Sequence, residues 1–140
     1  MEIVYNTEFV EIGIDREKSL IVDVWKEIKE GKTLSHAEFR DFVDTWHRTV
    51  IENKLRLGLT DTRYMNFVII PELQEYAAIP MSETVASGFA RHAMIVSQND
   101  IFMELSIEQT TEEIAKSTGQ LISKTFTSEE TAKKWLFENH

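Results

Sequence analysis

Leu55-Arg56-Leu57-Gly58-Leu59-Thr60-Asp61-Thr62-Arg63 reads as a strand that stops abruptly in a polar loop. Leucines alternate at 55, 57 and 59, the period of a strand with one buried face. Thr60 to Arg63 then interrupts the strand at its carboxyl edge, where open α/β sheets usually keep their sites.

Downstream of this stretch, strand and helix signals alternate. Pro71-Glu72 marks a helix start, because proline at the first helical position loses only a donor that had no partner. Leu73, Tyr76, Ala77 and Ile79 supply that helix with a packing face, Pro80 kinks or divides it, and Gly88 stops it. Arg91 to Ser97 is a short apolar strand, Asn99-Asp100 opens a helical turn, and Ser106 starts a longer helix toward Gly119. Gln120 to Phe126 is the last strand, and Thr127-Ser128-Glu129-Glu130 is a capping-box match that opens a terminal helix packing Ala132, Trp135 and Leu136. Strands separated by helix-length crossovers imply parallel pairing.

Upstream, residues 2–13 are rich in β-branched and aromatic types, and Ser19 to Trp25 is a second strand-like run after the charged turn Asp15-Arg16-Glu17-Lys18. The two runs predict an antiparallel hairpin. Ser35-His36-Ala37-Glu38 fits the S-x-x-E capping box, and Phe39, Phe42, Val43, Trp46 and Val50 then recur at helical spacing. Glu38, Asp41, Thr45, Arg48 and Glu52 fall mainly toward solvent on that pattern. The expected fold is α/β: one domain over residues 1–140, with a mixed sheet of about four to five strands and packed helices. No internal repeat, low-complexity tract or linker interrupts the chain.

Composition narrows the functional classes. The chain has 140 residues, 42% hydrophobic and 28% charged, an ordinary globular balance. A formal net charge of −9 opposes binding to phosphate backbones and anionic lipid, so neither nucleic acid nor a membrane surface is an expected partner. The absence of cysteine removes disulfides, thiolate metal sites and cysteine nucleophiles. Met1 to Asn6 has neither a basic n-region nor a long apolar core, and runs such as Phe67 to Ile70 are far short of a membrane span. A soluble cytoplasmic protein is the expectation.

Candidate chemical groups are sparse. Asp44 and His47 lie one helical turn apart, a spacing able to bind metal or support acid–base chemistry. Di-metal bundles need that motif repeated on several helices, so a solvated pair beside the apolar stripe is the expected role. His36, His92 and His140 are isolated in sequence. No G-x-S-x-G elbow, glycine-rich phosphate loop or H-E-x-x-H run occurs. The pairs Glu112-Glu113 and Glu129-Glu130 fit solvated helix faces. Trp25, Trp46 and Trp135 fit core positions, with the lining of an apolar pocket as the alternative. Met65, Phe67, Val68, Ile69 and Ile70 have no clear periodicity and serve either as cover for the sheet or as a partner surface. No catalytic residue, metal or cofactor is expected.

The hairpin ending in Val24-Trp25, the long helix, the strand ending Leu59-Thr60-Asp61-Thr62-Arg63 and the closing run Thr125 to Leu136 together resemble the SpoIIAA-like group of small bacterial STAS/Sec14-type domains. The resemblance spans nearly the whole chain in element order. It implies a sheet covered by helices and a non-enzymatic regulatory role. Anti-sigma-factor antagonists of the STAS type carry an Asp-Ser-Ser-Gly-like loop after a central strand, where phosphorylation switches partner binding. Here Asp61 matches and Thr62 is a hydroxyl residue beside it, while Arg63 and Tyr64 replace the second serine and the glycine. Sec14-like relatives imply instead a lipid or other apolar ligand.

Three functions follow as expectations, the third being an acid–base or metal enzyme that would need His47 or His92 to converge with carboxylates. In the first, the domain binds a protein partner through Thr60, Asp61, Thr62, Arg63 and Tyr64 and the adjoining helix 71–79, with Thr62 as candidate phosphoacceptor. A phosphate there would add roughly −1.5 to −2 charges. In the second, it carries or senses a small apolar molecule in a cavity framed by aromatic residues. Ordinary turn and cap roles are the alternative, and the commoner one, for Thr60 to Arg63.

Overall fold

The computed structural model describes residues 1–97 and 121–138, together with residues 105, 109 and 112. Six strands form one sheet in chain order: β1 (Glu2–Asn6), β2 (Val10–Asp15), β3 (Leu20–Trp25), β4 (Leu57–Asp61), β5 (Arg91–Ile95) and β6 (Ile122–Phe126). β1, β2 and β3 pair antiparallel, whereas β3 through β6 pair parallel. The helices among the described residues are α1 (His36–Asn53), α2 (Pro71–Ala78), α3 (Met81–Ala86) and α4 (Glu129–Phe137). None is long and apolar enough to cross a membrane. The helical turn at 99–100 and the helix from 106 to 119 read from the sequence fall almost wholly outside the described residues.

The α/β class and the antiparallel-then-parallel order match the sequence expectation, but the sheet has six strands. The extra strand comes from the N-terminal run, which is two strands rather than one. Thr7 turns the chain between them, its hydroxyl oxygen accepting from the backbone N–H groups of Phe9 and Val10 at 3.1 and 3.2 Å. Such a turn is locally encoded by one hydroxyl and leaves no mark on the hydrophobic pattern.

α1 begins where the capping box places it. Ser35 accepts from the Glu38 backbone N–H and Glu38 accepts from that of Ser35, so two donors at the helix start are satisfied. Phe39, Phe42, Val43, Trp46 and Val50 are all buried. Thr45, expected toward solvent, is buried too, and its hydroxyl donates to the Asp41 carbonyl. Pro80 separates α2 from α3, and Gly88 turns the chain after α3 with a φ of +117° that only glycine adopts easily. Ile79, expected to pack, is 68% exposed at the end of α2. The N-cap of α4 is Ser128 rather than Thr127, with its hydroxyl oxygen accepting from the Thr131 N–H.

Two cores lie on opposite faces of the sheet. The larger joins Ile12, Ile14, Ile21 and Trp25 to the buried stripe of α1 and to Leu73, Ala77 and Met81 of α2 and α3. The smaller joins Leu20, Val22, Leu59, Ala93 and Ile95 to Ala132 and Leu136 of α4. The leucine alternation is therefore split. Leu55 precedes β4 and enters the larger core, while Leu59 lies in the smaller one.

β4 is an interior strand, between β3 and β5. Gly58 lets the larger core close upon it: a Cβ there would stand 2.8 Å from Phe89 Cζ and 3.1 Å from His92 Cδ2. Both rings are buried and cannot swing into solvent. Gly58→Ala is expected to destabilise the fold by about 1–3 kcal/mol through overpacking, read as a lower urea midpoint; an unchanged midpoint would show that the rings relax freely.

Candidate functional site: a buried polar row in an aromatic cavity

Period two along β3 puts Ile21, Asp23 and Trp25 on one face, toward α1. The register carries a row across the sheet, in which Ile12 pairs with Asp23, Asp23 with Thr60, and Thr60 with Met94. Asp23 is 1% exposed, a charged residue at a position otherwise apolar.

Three neutral donors hold its carboxylate. Thr60 Oγ1 donates to Oδ1 at 2.7 Å and Trp46 Nε1 to the same oxygen at 3.3 Å, while Trp25 Nε1 donates to Oδ2 at 3.2 Å. Thr60 Oγ1 also lies 2.7 Å from His92 Nε2. A hydroxyl has one proton, so with that proton given to Asp23, His92 Nε2 must be the N–H donor to Thr60. His92 Nδ1 is then a lone pair, buried and without a hydrogen-bond partner among the described residues. Buried polar atoms are rarely left so.

His47 is a second buried imidazole, contrary to the solvated Asp44–His47 pair expected from helical spacing. Its Nε2 donates to the Ala77 carbonyl at 3.1 Å, which leaves Nδ1 an acceptor 2.7 Å from the Thr84 hydroxyl, whose proton is shared with the Pro80 carbonyl at 3.2 Å. Asp44 instead accepts from the Tyr76 hydroxyl on the exposed side. Both residues lie within α1, and the three-residue step takes the chain from its exposed face at Asp44 to its buried face at His47.

Asp23, Thr60, Thr62, His47 and His92 share a cavity of about 90 Å³ with Trp25, Phe39, Phe42, Val43, Trp46, Met65, Ile69, Ala77, Met81 and Met94. The aromatic wall is ordered by ring packing: Trp25 meets Phe42 edge-on at 4.8 Å and stacks on Phe39 at 6.4 Å. Trp46 lies 5.5 Å from the His92 ring and 5.2 Å from Phe89.

The 60–64 segment is divided by this arrangement. Thr60, Asp61 and Thr62 are buried, while Arg63 and Tyr64 reach solvent, Tyr64 to 60%. Thr62, the candidate phosphoacceptor, is 3% exposed, and its hydroxyl and backbone N–H both donate to the Ile95 carbonyl. An open hydroxyl at Thr62 is thus corrected to a buried strand-end tie. Asp61 accepts from the Arg63 backbone N–H and from its guanidinium at 3.0 and 2.6 Å, the turn-and-cap role open to such residues. Met65, Phe67 and Ile69 return to the core, leaving Val68 exposed between them.

No family model, curated protein or solved structure matches the chain. Among the described residues no group of three or more His, Cys, Asp or Glu is placed to hold a metal ion. Sequence reading missed Asp23, although the inward phase of Ile21-Asp23-Trp25 was there to be read.

Burial pushes the Asp23 carboxyl up to about 7 from 3.8, against the hydrogen bonds from Thr60, Trp25, Trp46 and its own backbone that favour its charge. Desolvation pushes His47 and His92 down to about 4 from 6.5. Between those histidine values the unfolded chain binds two protons that the folded one lacks, while folded Asp23 keeps one proton that the unfolded chain has lost. The two histidines outweigh the aspartate, so stability should rise with pH by roughly 1 kcal/mol per unit across this window. Asp23→Asn removes the opposing contribution and should about double that slope. Urea midpoints from about pH 4.5 to about pH 6.5 measure both; a flat wild-type profile would refute the assignment.

Proposed function

We propose that this domain is a non-catalytic binding module whose cavity beneath α1 takes a small, largely apolar molecule, as a carrier or sensor. The observation that carries this is the cavity itself, bounded by four aromatic side chains and Met65, Met81 and Met94, with a few polar groups gathered along β3, β4 and β5. Apolar walls with few, placed polar groups are the usual make-up of small-molecule sites. Its size suits a compound, or one end of a compound, of only a few heavy atoms. Kinship with SpoIIAA-like STAS/Sec14-type domains and a cytoplasmic setting belong to the same proposal, supported by the hairpin that leads into parallel strands.

A second reading keeps a protein partner at the carboxyl end of β4. It draws on Arg63, Tyr64 and Val68, the exposed part of the segment that follows β4, with Val68 52% exposed. Phosphorylation at Thr62 would then require the strand end to open first.

Native mass spectrometry of freshly purified protein tests the carrier. A copurifying small-molecule mass is expected, and Val43→Leu, which adds one methylene to the cavity wall, should reduce it while raising stability by roughly 0.8 kcal/mol. An apoprotein with no bound mass, together with a destabilised Val43→Leu variant, would overturn the cavity reading and leave the exposed segment after β4.

A further inference from the structure

The cavity's free polar valences are all of one kind. Thr60 gives its proton to Asp23, Thr62 gives its proton to the Ile95 carbonyl, and both nitrogens of His47 are engaged. Asp23 Oδ1 receives two side-chain donors, whereas Oδ2 receives a single one, the Trp25 indole, and has room for another. His92 adds a buried lone pair on Nδ1. What remains is acceptor capacity, so a fitting ligand must bring donors.

Charge sharpens the choice. None of the salt bridges among the described residues includes Asp23. Neutral donors orient toward a carboxylate but leave its net charge in place, and buried charges are ordinarily paired. An anion would be repelled, and the groups present do not assemble a metal site among the described residues. Trp25, Trp46, Phe39 and Phe42 line the same cavity, and aromatic rings attract organic cations.

Building on the carrier proposal above, we propose that the ligand is a small organic amine whose ammonium head enters the cavity, donating to Asp23 Oδ2 while the aromatic rings pack around its carbons. The amine completes an ion pair that the fold leaves half-made. It is bound and released without chemical change.

The test is a titration of full-length protein with n-propylamine hydrochloride and, separately, n-propanol, which matches its length without the charge. The indole N–H resonances of Trp25 and Trp46 are followed at about pH 8, where Asp23 is ionised. Propylamine should move both indoles and bind at least about tenfold tighter than propanol, as expected for one added charge-assisted hydrogen bond. Asp23→Asn should erase that preference. Should Asp23→Asn fail to fold, wild-type protein at about pH 5 replaces it, since Asp23 is then protonated while His47 and His92 stay neutral. Trp46 and His47 from α1, Thr60 from β4 and His92 from β5 surround the carboxylate, and none of them titrates between those two conditions. Equal binding of the two probes would overturn the amine and leave the apolar cavity standing. No indole shift with either probe would overturn both.

Discussion

A single buried carboxylate ties the main structural layers together. Asp23 on β3 accepts from Thr60 on β4, from Trp46 on α1 and from Trp25 two residues along its own strand. Burying a carboxylate without a cation is unfavourable, and the three hydrogen bonds offset only part of that. The arrangement persists because each donor is itself held in the larger core, where both indoles and the stripe of α1 are packed. Strand spacing, helix position and ring orientation are thereby constrained by the same few atoms.

The rest of the cavity follows from this constraint. The indoles of Trp25 on β3 and Trp46 on α1 both turn toward Asp23 and line a cavity of about 90 Å³. Interiors normally close such voids, since atoms facing empty space forfeit dispersion contacts. The cavity on this face lies beside the buried Asp23 carboxyl and its hydrogen-bond partners. The opposite face of the sheet shows the contrast, where Leu20, Leu59 and Ile95 meet Ala132 and Leu136 in an apolar cluster.

The segment after β4 contributes differently from its residue types. Hydroxyl, carboxylate and guanidinium side chains at a strand's carboxyl edge suggest display to solvent, yet Thr60 and Thr62 alternate inward and Asp61 is consumed by Arg63. Asp61 and Thr62 close the strand end, while Thr60 holds the Asp23 carboxylate. Arg63 and Tyr64, which follow β4, are exposed.

Local signals were enough for much of the framework. The capping box at Ser35, the periodic stripe from Phe39 to Val50, proline at the start of α2 and the strand–helix alternation after Leu55 each depend on neighbours within a few residues, so they are legible in sequence. The turn at Thr7 and the split of Leu55 from Leu59 were not, because a hydroxyl cap and a change of face leave the hydrophobic pattern unaltered. The inward phase of Asp23 was written between Ile21 and Trp25. Its meeting with Thr60, His92 and Trp46, from positions 23 to 69 residues away, arises only when parallel strands and a crossing helix bring distant side chains into register. Proximity of that kind belongs to tertiary structure, since hydrogen bonds act over a few ångströms in space and not along the chain.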